Sequence, residues 1–385
     1  MASSNSVSSR PVPPTIGRPT PPSARPILPS VGAPTLPGDS LSLGRPVPPP
    51  IDRPVPPPIN RPVPPPINNP YISQQIQQVA SMTLGAYDRG MAFYDARALG
   101  LNGLRSIEGL ADNPVARFAE QAVAGVGSDQ TGYQIAKTTF QRPEALDPYT
   151  APDAKVRGIS AIATASFDTG MTFTDARSVG NAALRAIDQV SPNPVAAFAL
   201  DAAAQAGSDQ EAYNMQRAAL DRPELMTAFT SPQTQVANIA QLAIADFDKG
   251  MRFSTARQVG DAALARIQQA SGSGVAGFVR QAARDGSSDQ EAYNIQRAAL
   301  EQPALFGPAY PQQQSRAIAQ LALAAFDKGM LFSSARQVGM DALQAVQAQG
   351  YNALAAMAMS SAAGAYSDQD AYNIERQALQ AIANG

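Results

Sequence analysis

The chain has no histidine and no cysteine among its 385 residues. Zinc-finger sites, haem ligation through His or Cys, cysteine nucleophiles and Ser-His-Asp triads are therefore excluded. No disulfide can form, so cysteine usage says nothing about redox compartment. Charge is sparse as well: Asp, Glu, Lys and Arg make up 16% of the residues, and the net charge is −2. No Gly-x-x-x-x-Gly-Lys-Ser/Thr phosphate loop occurs, and no EF-hand loop. Neither a cofactor nor a metal is expected. A secretory signal is not expected either, because Met1-Ala-Ser-Ser-Asn5 lacks a basic start and prolines follow where an apolar run should stand. The longest uncharged stretch, Ala342 to Ser367, is Ala-rich but studded with Gln, Asn, Ser and Gly. It reads as a helix of a soluble protein rather than a membrane span.

What the chain does have is proline, and it is distributed unevenly. Residues 1–70 hold 23 of the 34 prolines, with six Arg, two Asp and no Lys or Glu. This part carries +4 and the remainder −6. An acidic body lacks the dense basic face that phosphate neutralisation needs, so no nucleic-acid partner is expected. The proline-rich part ends in a tandem octad, Arg45–Asp52, Arg53–Asn60 and Arg61–Asn68, each reading Arg-Pro-Val-Pro-Pro-Pro-Ile-Asp/Asn. Proline fixes φ and removes the backbone donor, which blocks helix and interior strand. Residues 1–69 are thus expected to be an extended or disordered arm of polyproline II character, about 25 Å per octad. With about three residues per turn, successive arginines rotate by about 120°. Arg45, Arg53 and Arg61 then suit separate docking events, or the arm is a semi-rigid spacer. Pro46 and Pro49 satisfy the two-proline spacing of SH3 ligands, but Ile51 stands where the arginine-flanked version of that motif needs proline.

The body is an internal repeat. Asp-x-Gly-Met-x-Phe-x-x-Ala-Arg-x-x-Gly occurs at Asp88, Asp168, Asp248 and Asp327, with offsets of 80, 80 and 79. Ser-Asp-Gln recurs at Ser128, Ser208, Ser288 and Ser367 with the same offsets. Two anchors in one register define four units, 70–150, 151–230, 231–310 and 311–385. Each unit reads as four helices. The first opens on Pro70, Pro152, Pro232 or Pro311 and stops at Gly90, Gly170, Gly250 or Gly329. The second begins near Thr174, Ser254 or Ser333 and carries a glycine two turns in, at Gly100, Gly180, Gly260 and Gly339, where close approach of another backbone is expected. The third starts at Asn113-Pro114, Asn193-Pro194, Ser273 or Asn352, and the fourth at Ser-Asp-Gln. The fold class is all-α: four tandem four-helix repeats of about 80 residues, stacked like a solenoid or beaded as bundles, with stacking favoured because small repeats bury their faces against neighbours.

Two motifs carry candidate chemistry. Asp88, Asp168, Asp248 and Asp327 each lie nine residues before Arg97, Arg177, Arg257 and Arg336. The pairs read as structural Asp–Arg clamps across the turn rather than as a carboxylate site, because a catalytic site is not expected in four equal copies. Ser128, Ser208, Ser288 and Ser367 read as helix caps, with Glu211 and Glu291 completing capping boxes. Gly125-Val-Gly-Ser-Asp-Gln130 resembles the Gly-x-Gly-Thr-Asp-Glu calcium loop of annexins, which also have four helical repeats. That resemblance implies calcium and lipid binding with a downstream carboxylate, for which Asp168 stands near the right distance. The other three copies lack Gly-x-Gly, and the repeat is about 80 residues rather than about 70. The recurring Met, Phe and Tyr positions read as core.

These features lead to an expected non-enzymatic structural or assembly protein. Its helical-repeat body is tied to other protein subunits by the arm, as in a virion or another large assembly, and it is open to self-association. The alternatives are an adaptor recruiting proline-reading domains, annexin-like calcium and lipid binding, and an enzyme working with carboxylates alone.

Overall fold

Proline at the first helical position costs no hydrogen bond, because that N–H has no partner within the helix anyway, and its fixed φ presets the first turn. Pro70, Pro152, Pro232 and Pro311 open the first helix of each repeat for this reason. A computed structural model describes residues 70–227, 230–307 and 310–385. The arm, with Arg45, Arg53 and Arg61, lies outside the described residues.

The described residues form sixteen α-helices and no strand. The first repeat holds α1 (Pro70–Tyr87), α2 (Phe93–Leu110), α3 (Pro114–Gly125) and α4 (Asp129–Phe140). The second holds α5 (Pro152–Phe167), α6 (Phe173–Val190), α7 (Pro194–Gln205) and α8 (Asp209–Leu220). The third holds α9 (Pro232–Phe247), α10 (Phe253–Ser271), α11 (Gly274–Asp285) and α12 (Asp289–Leu300). The fourth holds α13 (Pro311–Phe326), α14 (Phe332–Gln349), α15 (Ala353–Ala363) and α16 (Asp368–Asn384). A single 3₁₀ turn follows the fourth helix in three repeats, at Pro143–Leu146, Pro223–Met226 and Pro303–Phe306. The last repeat has no proline there, and α16 runs on.

The turn between first and second helices needs a left-handed residue. Gly90, Gly170, Gly250 and Gly329 supply it, at φ of +80°, +80°, +76° and +79°. The second helices start on the Phe, one residue ahead of the expected Thr174, Ser254 and Ser333. Of the residues before them, Thr172 caps with its side chain, accepting from the Asp175 N–H.

The mid-helix glycines answer to a side chain rather than to a backbone. A Cβ on Gly180 or Gly260 would meet the amide of Gln216 or Gln296, and one on Gly339 the carboxyl of Glu375. In the first repeat the space over Gly100 goes to the Ala136 methyl and the Tyr87 hydroxyl. The fourth helix thus lays one buried side chain across the second. Gln216 Nε2 donates to the Arg177 carbonyl at 3.1 Å, and Gln296 Nε2 to the Arg257 carbonyl at 3.0 Å.

The repeats stack. Each third helix packs on the second helix of the next repeat: α3 on α6, α7 on α10, α11 on α14. The first helix of the following repeat closes over the third and fourth, and the 3₁₀ turns pack beneath it. Phe118, Phe198 and Phe278 are buried on these third helices, and one hydrophobic core runs unbroken from Ile76 to Ile382. Polar latches accompany it. Asp175 Oδ1 accepts from the Gly127 N–H at 2.8 Å, and Glu291 Oε1 accepts from the Leu331 N–H at 3.0 Å. Arg266 reaches across from α10 to Asp201 on α7 at 2.7 Å. Separate beads are thereby excluded for this body.

Candidate functional site

The charged residues of the repeat meet in a register that differs from the expected one. Arg97, Arg177, Arg257 and Arg336 are each the fifth residue of a second helix. There they face the N-terminus of the fourth helix, where the aspartate of Ser-Asp-Gln occupies the first position. The pairs are Arg97–Asp129, Arg177–Asp209 and Arg257–Asp289 at 3.0 Å, and Arg336–Asp368 at 2.9 Å. Asp88, Asp168, Asp248 and Asp327 are therefore not the partners of these arginines. Arg97 also donates Nη2 to the carbonyls of Ala124 and Val126, at 3.1 Å each. One guanidinium thus ties the end of the third helix to the start of the fourth, placing positive charge on C-terminal carbonyls and negative charge at an N-terminus, as the helix dipoles favour. The Thr174 hydroxyl and the Arg177 guanidinium hold the Asp209 carboxyl below the ordinary carboxylate range.

The turn aspartates go elsewhere. They follow the last residue of the first helix, and the glycine turn aims them at the fourth helix of the same repeat. Asp168, Asp248 and Asp327 pair with Arg217, Arg297 and Arg376 at 2.7, 2.9 and 2.8 Å. Each of these arginines also donates to a tyrosine one turn back: Tyr213 at 3.0 Å, Tyr293 at 2.8 Å and Tyr372 at 2.6 Å. In the first repeat Lys137 takes the arginine's place and lies over the Tyr133 ring.

That tyrosine is the centre of an aromatic trio. Phe167, Phe247 and Phe326 meet Tyr213, Tyr293 and Tyr372 edge-on at centroid distances of 5.2, 5.0 and 5.1 Å, and Tyr87 meets Tyr133 at 4.9 Å. Phe93, Phe173, Phe253 and Phe332 lie tilted against the same rings at 5.4 to 5.5 Å. Edge contacts of this kind add to area burial. The trio locks the first, second and fourth helices together beside the Asp–Arg–Tyr chain. Burial pushes the Tyr87 hydroxyl upward, with Tyr133 adding to it.

Ser128, Ser208, Ser288 and Ser367 each cap a fourth helix, accepting from the N–H three residues on at 3.0 to 3.2 Å. In the loop that resembles an annexin site, the Asp129 carboxylate is taken by Arg97, and Asp168 is taken by Arg217. The carboxylate that meets the loop is Asp175, and it binds a backbone N–H rather than joining carbonyl oxygens in a cation shell. Among the described residues no group of three or more carboxylates could hold a metal ion. No helix there is long and apolar enough to cross a membrane.

A recess of about 620 Å³ is an open polar groove between α7, α10, α11 and α12. Four of its charged wall residues are spent on each other: Arg280 grips Asp261 through two nitrogens at 2.9 and 3.0 Å, and Arg257 holds Asp289. Three carboxyls elsewhere carry strong shifts. Complete burial pushes Asp246 well above the ordinary value. Burial and the neighbouring Asp285 raise Asp341 to about 7. Burial raises Glu375 to about 8, against the pull of Arg336. Asp246 and Glu375 lie in the packed interior, and Asp341 is half-buried beside Asp285.

Sequence reasoning found Arg97, Arg177, Arg257 and Arg336 as recurrent but missed their partners. Asp129 and its equivalents were present as part of a cap, and Arg217, Arg297 and Arg376 recur in the same register as Tyr213, Tyr293 and Tyr372. No family model matches the chain, and neither a curated protein nor a solved structure matches it.

Proposed function

We propose that this is a non-enzymatic structural protein of a larger assembly, such as a virion. In this reading the stacked helical body is the scaffold and the proline-rich arm is the attachment to other subunits. The observation that carries the proposal is the fate of the recurrent charges. In every repeat the second-helix arginine is consumed by the fourth helix's aspartate, and three of the four turn aspartates by an arginine 49 residues further along the chain. Groups committed to one another in this way serve packing, and they support a scaffold better than a carboxylate enzyme. The arm supplies repeated Arg-Pro-Val-Pro-Pro-Pro-Ile units, whose extended backbone lowers the ordering cost of docking and whose arginines add charge-assisted contacts.

The test is an arm swap in the full chain. Replacing the three octads by a proline spacer of equal length without arginine should abolish incorporation into the assembly. Single Arg45→Ala, Arg53→Ala and Arg61→Ala changes should weaken it stepwise, as linked weak contacts do. Incorporation undiminished by the swap would reduce the arm to a spacer. Capture of an SH3 or WW module by the octads in place of an assembly would favour an adaptor.

A further inference from the structure

Among the described residues, neither end of the stack shows a polar capping face. A solenoid's terminal repeats ordinarily turn a polar face outward. In this chain the last third helix, α15, contains no charged residue, whereas α3 carries Arg117 and Glu120 and α11 carries Arg280 and Arg284. Positions buried on the junction helices α3, α7 and α11 include Val115, Val195 and Val275; Phe118, Phe198 and Phe278; and Ala122, Ala202 and Ala282. In α15 these become Leu354, Met357 and Ser361, and Met357 is 61% exposed.

The opposite end is the complement. The first and second helices that receive a third helix carry buried Ile159, Ile162 and Val179, or Ile239, Leu242 and Val259, or Ile318, Leu321 and Val338 in later repeats. The first repeat offers Val79, Met82 and Leu99 in the same register. Met82 is 63% exposed and Leu99 is half-buried. Val79 and Met82 line a shallow recess of about 340 Å³ with Ser106 and Leu110. Asp95 stands exposed at the position from which Asp175 grips the Gly127 N–H, and the last-repeat counterpart of Gly127 is Tyr366, fully exposed.

A third feature concerns the linker. Between repeats an Arg-Pro or Gln-Pro step precedes the opening proline by nine or ten residues: Arg142 before Pro152, Arg222 before Pro232, Gln302 before Pro311. Each begins the 3₁₀ turn, and Asn113 and Asn193 fix that segment through their side-chain amides, to the Leu146 and Thr227 carbonyls. The last repeat has no such turn, and Asn352 there borders an open groove of about 490 Å³ with Leu354 and Ile382.

We infer that the body binds a second copy of itself head to tail, α15 of one copy seating against α1 and α2 of the next and continuing the junction that α3–α6, α7–α10 and α11–α14 already make. Three junctions inside the chain pair the same helices, and the two ends present the two unmatched halves of that pairing. Such a contact is heterologous, so it propagates into an open series unless its rotation closes a ring. The register also sets Asp95 near Asp370, which stands where Glu211 and Glu291 latch the inner junctions. Like charges there keep this junction weaker than the internal ones, and added salt should strengthen it. The inference rests on the assembly reading above and names its partner.

Sedimentation of the full chain over a wide concentration range tests it, with Met82→Glu and Met357→Glu as variants. Both side chains are exposed in the single copy, so neither change disturbs its fold; unchanged helical content and melting confirm this. The wild-type mass should climb steadily with concentration. Each variant alone should lose at least about tenfold in association, because a carboxylate then enters an apolar junction. An equimolar mixture of the two should stop at a dimer, since one unaltered junction remains. A wild type that stays monomeric, a symmetric dimer that survives both changes, or association appearing only after residues 1–69 are removed would each overturn the inference. The first would leave the assembly reading standing if the octad swap still abolished incorporation.

Discussion

Replacing Glu375 by glutamine should stabilise the protein at neutral pH. Glu375 is fully buried on α16 in the position that Gln216 and Gln296 hold in the two preceding repeats, over the bare Cα of Gly339. A glutamine there donates to a main-chain carbonyl of the second helix, and only a protonated carboxyl offers an equivalent donor. Arg336 pulls the group toward ionisation, while Asp341 and, above all, burial oppose it, leaving it at about 8 instead of 4.5. The folded form therefore holds a proton that the unfolded form releases above about pH 4.5. Since the unfolded chain binds fewer protons between those values, stability falls as pH rises from about 4.5 to about 8 and is level outside that window. At pH 7 the accumulated cost is at most about 3 kcal/mol, from 1.36 kcal/mol per pH unit. Glu375→Gln removes it. Urea denaturation at steps from pH 4 to pH 9 should show wild type and variant within about 1 kcal/mol of each other at pH 4, and the variant ahead by roughly 2–3 kcal/mol at pH 7. The comparison isolates Glu375 because Asp246 and Asp341, which slope the same way, are present in both proteins. A difference that stays constant across the pH range would refute the reasoning.

Gly180→Ala should destabilise by about 1–3 kcal/mol, because the new methyl meets the Gln216 amide, and Gln216→Ala should recover part of that loss in the double variant; thermal melts of the four proteins measure this. Asp248→Asn should cost less than about 1 kcal/mol, since the carboxylate is more than half exposed and its partner is Arg297. Phe198→Ala, at a fully buried inter-repeat junction, should cost about 3–5 kcal/mol by chemical denaturation. Calcium should leave the melting temperature of the wild type unchanged, and a rise that vanished in Asp175→Asn would restore the annexin-like alternative.

The architecture was legible because the repeat is written twice over, in the Asp-x-Gly-Met anchor and in Ser-Asp-Gln. Helix ends carry local chemistry: the opening prolines, the left-handed glycines and the capping serines each act within a few residues. The ion-pair register was not legible. Asp248 and Arg257 are close in sequence, and a local clamp was the natural expectation, but the glycine turn sends the aspartate to Arg297, 49 residues away. Which of several charges on four helices meet depends on how those helices cross, and sequence spacing does not carry that. The glycines in the second helices signalled close approach correctly, but not that a Gln or Glu side chain makes it. The exposed end face was not legible either: Met357 is by type a core residue, and only the burial of Phe118, Phe198 and Phe278 at the equivalent positions marks it as uncovered.

The central claim is that this chain works as a subunit. It is tested most directly by the native mass and subunit stoichiometry of the particle that carries it, purified from its own source without crosslinking. The account predicts a large particle with the full-length chain in fixed ratio to the other subunits, from which the chain bearing arginine-free octads is absent. A chain recovered only as a free monomer, with the octad variant distributed identically, would contradict it.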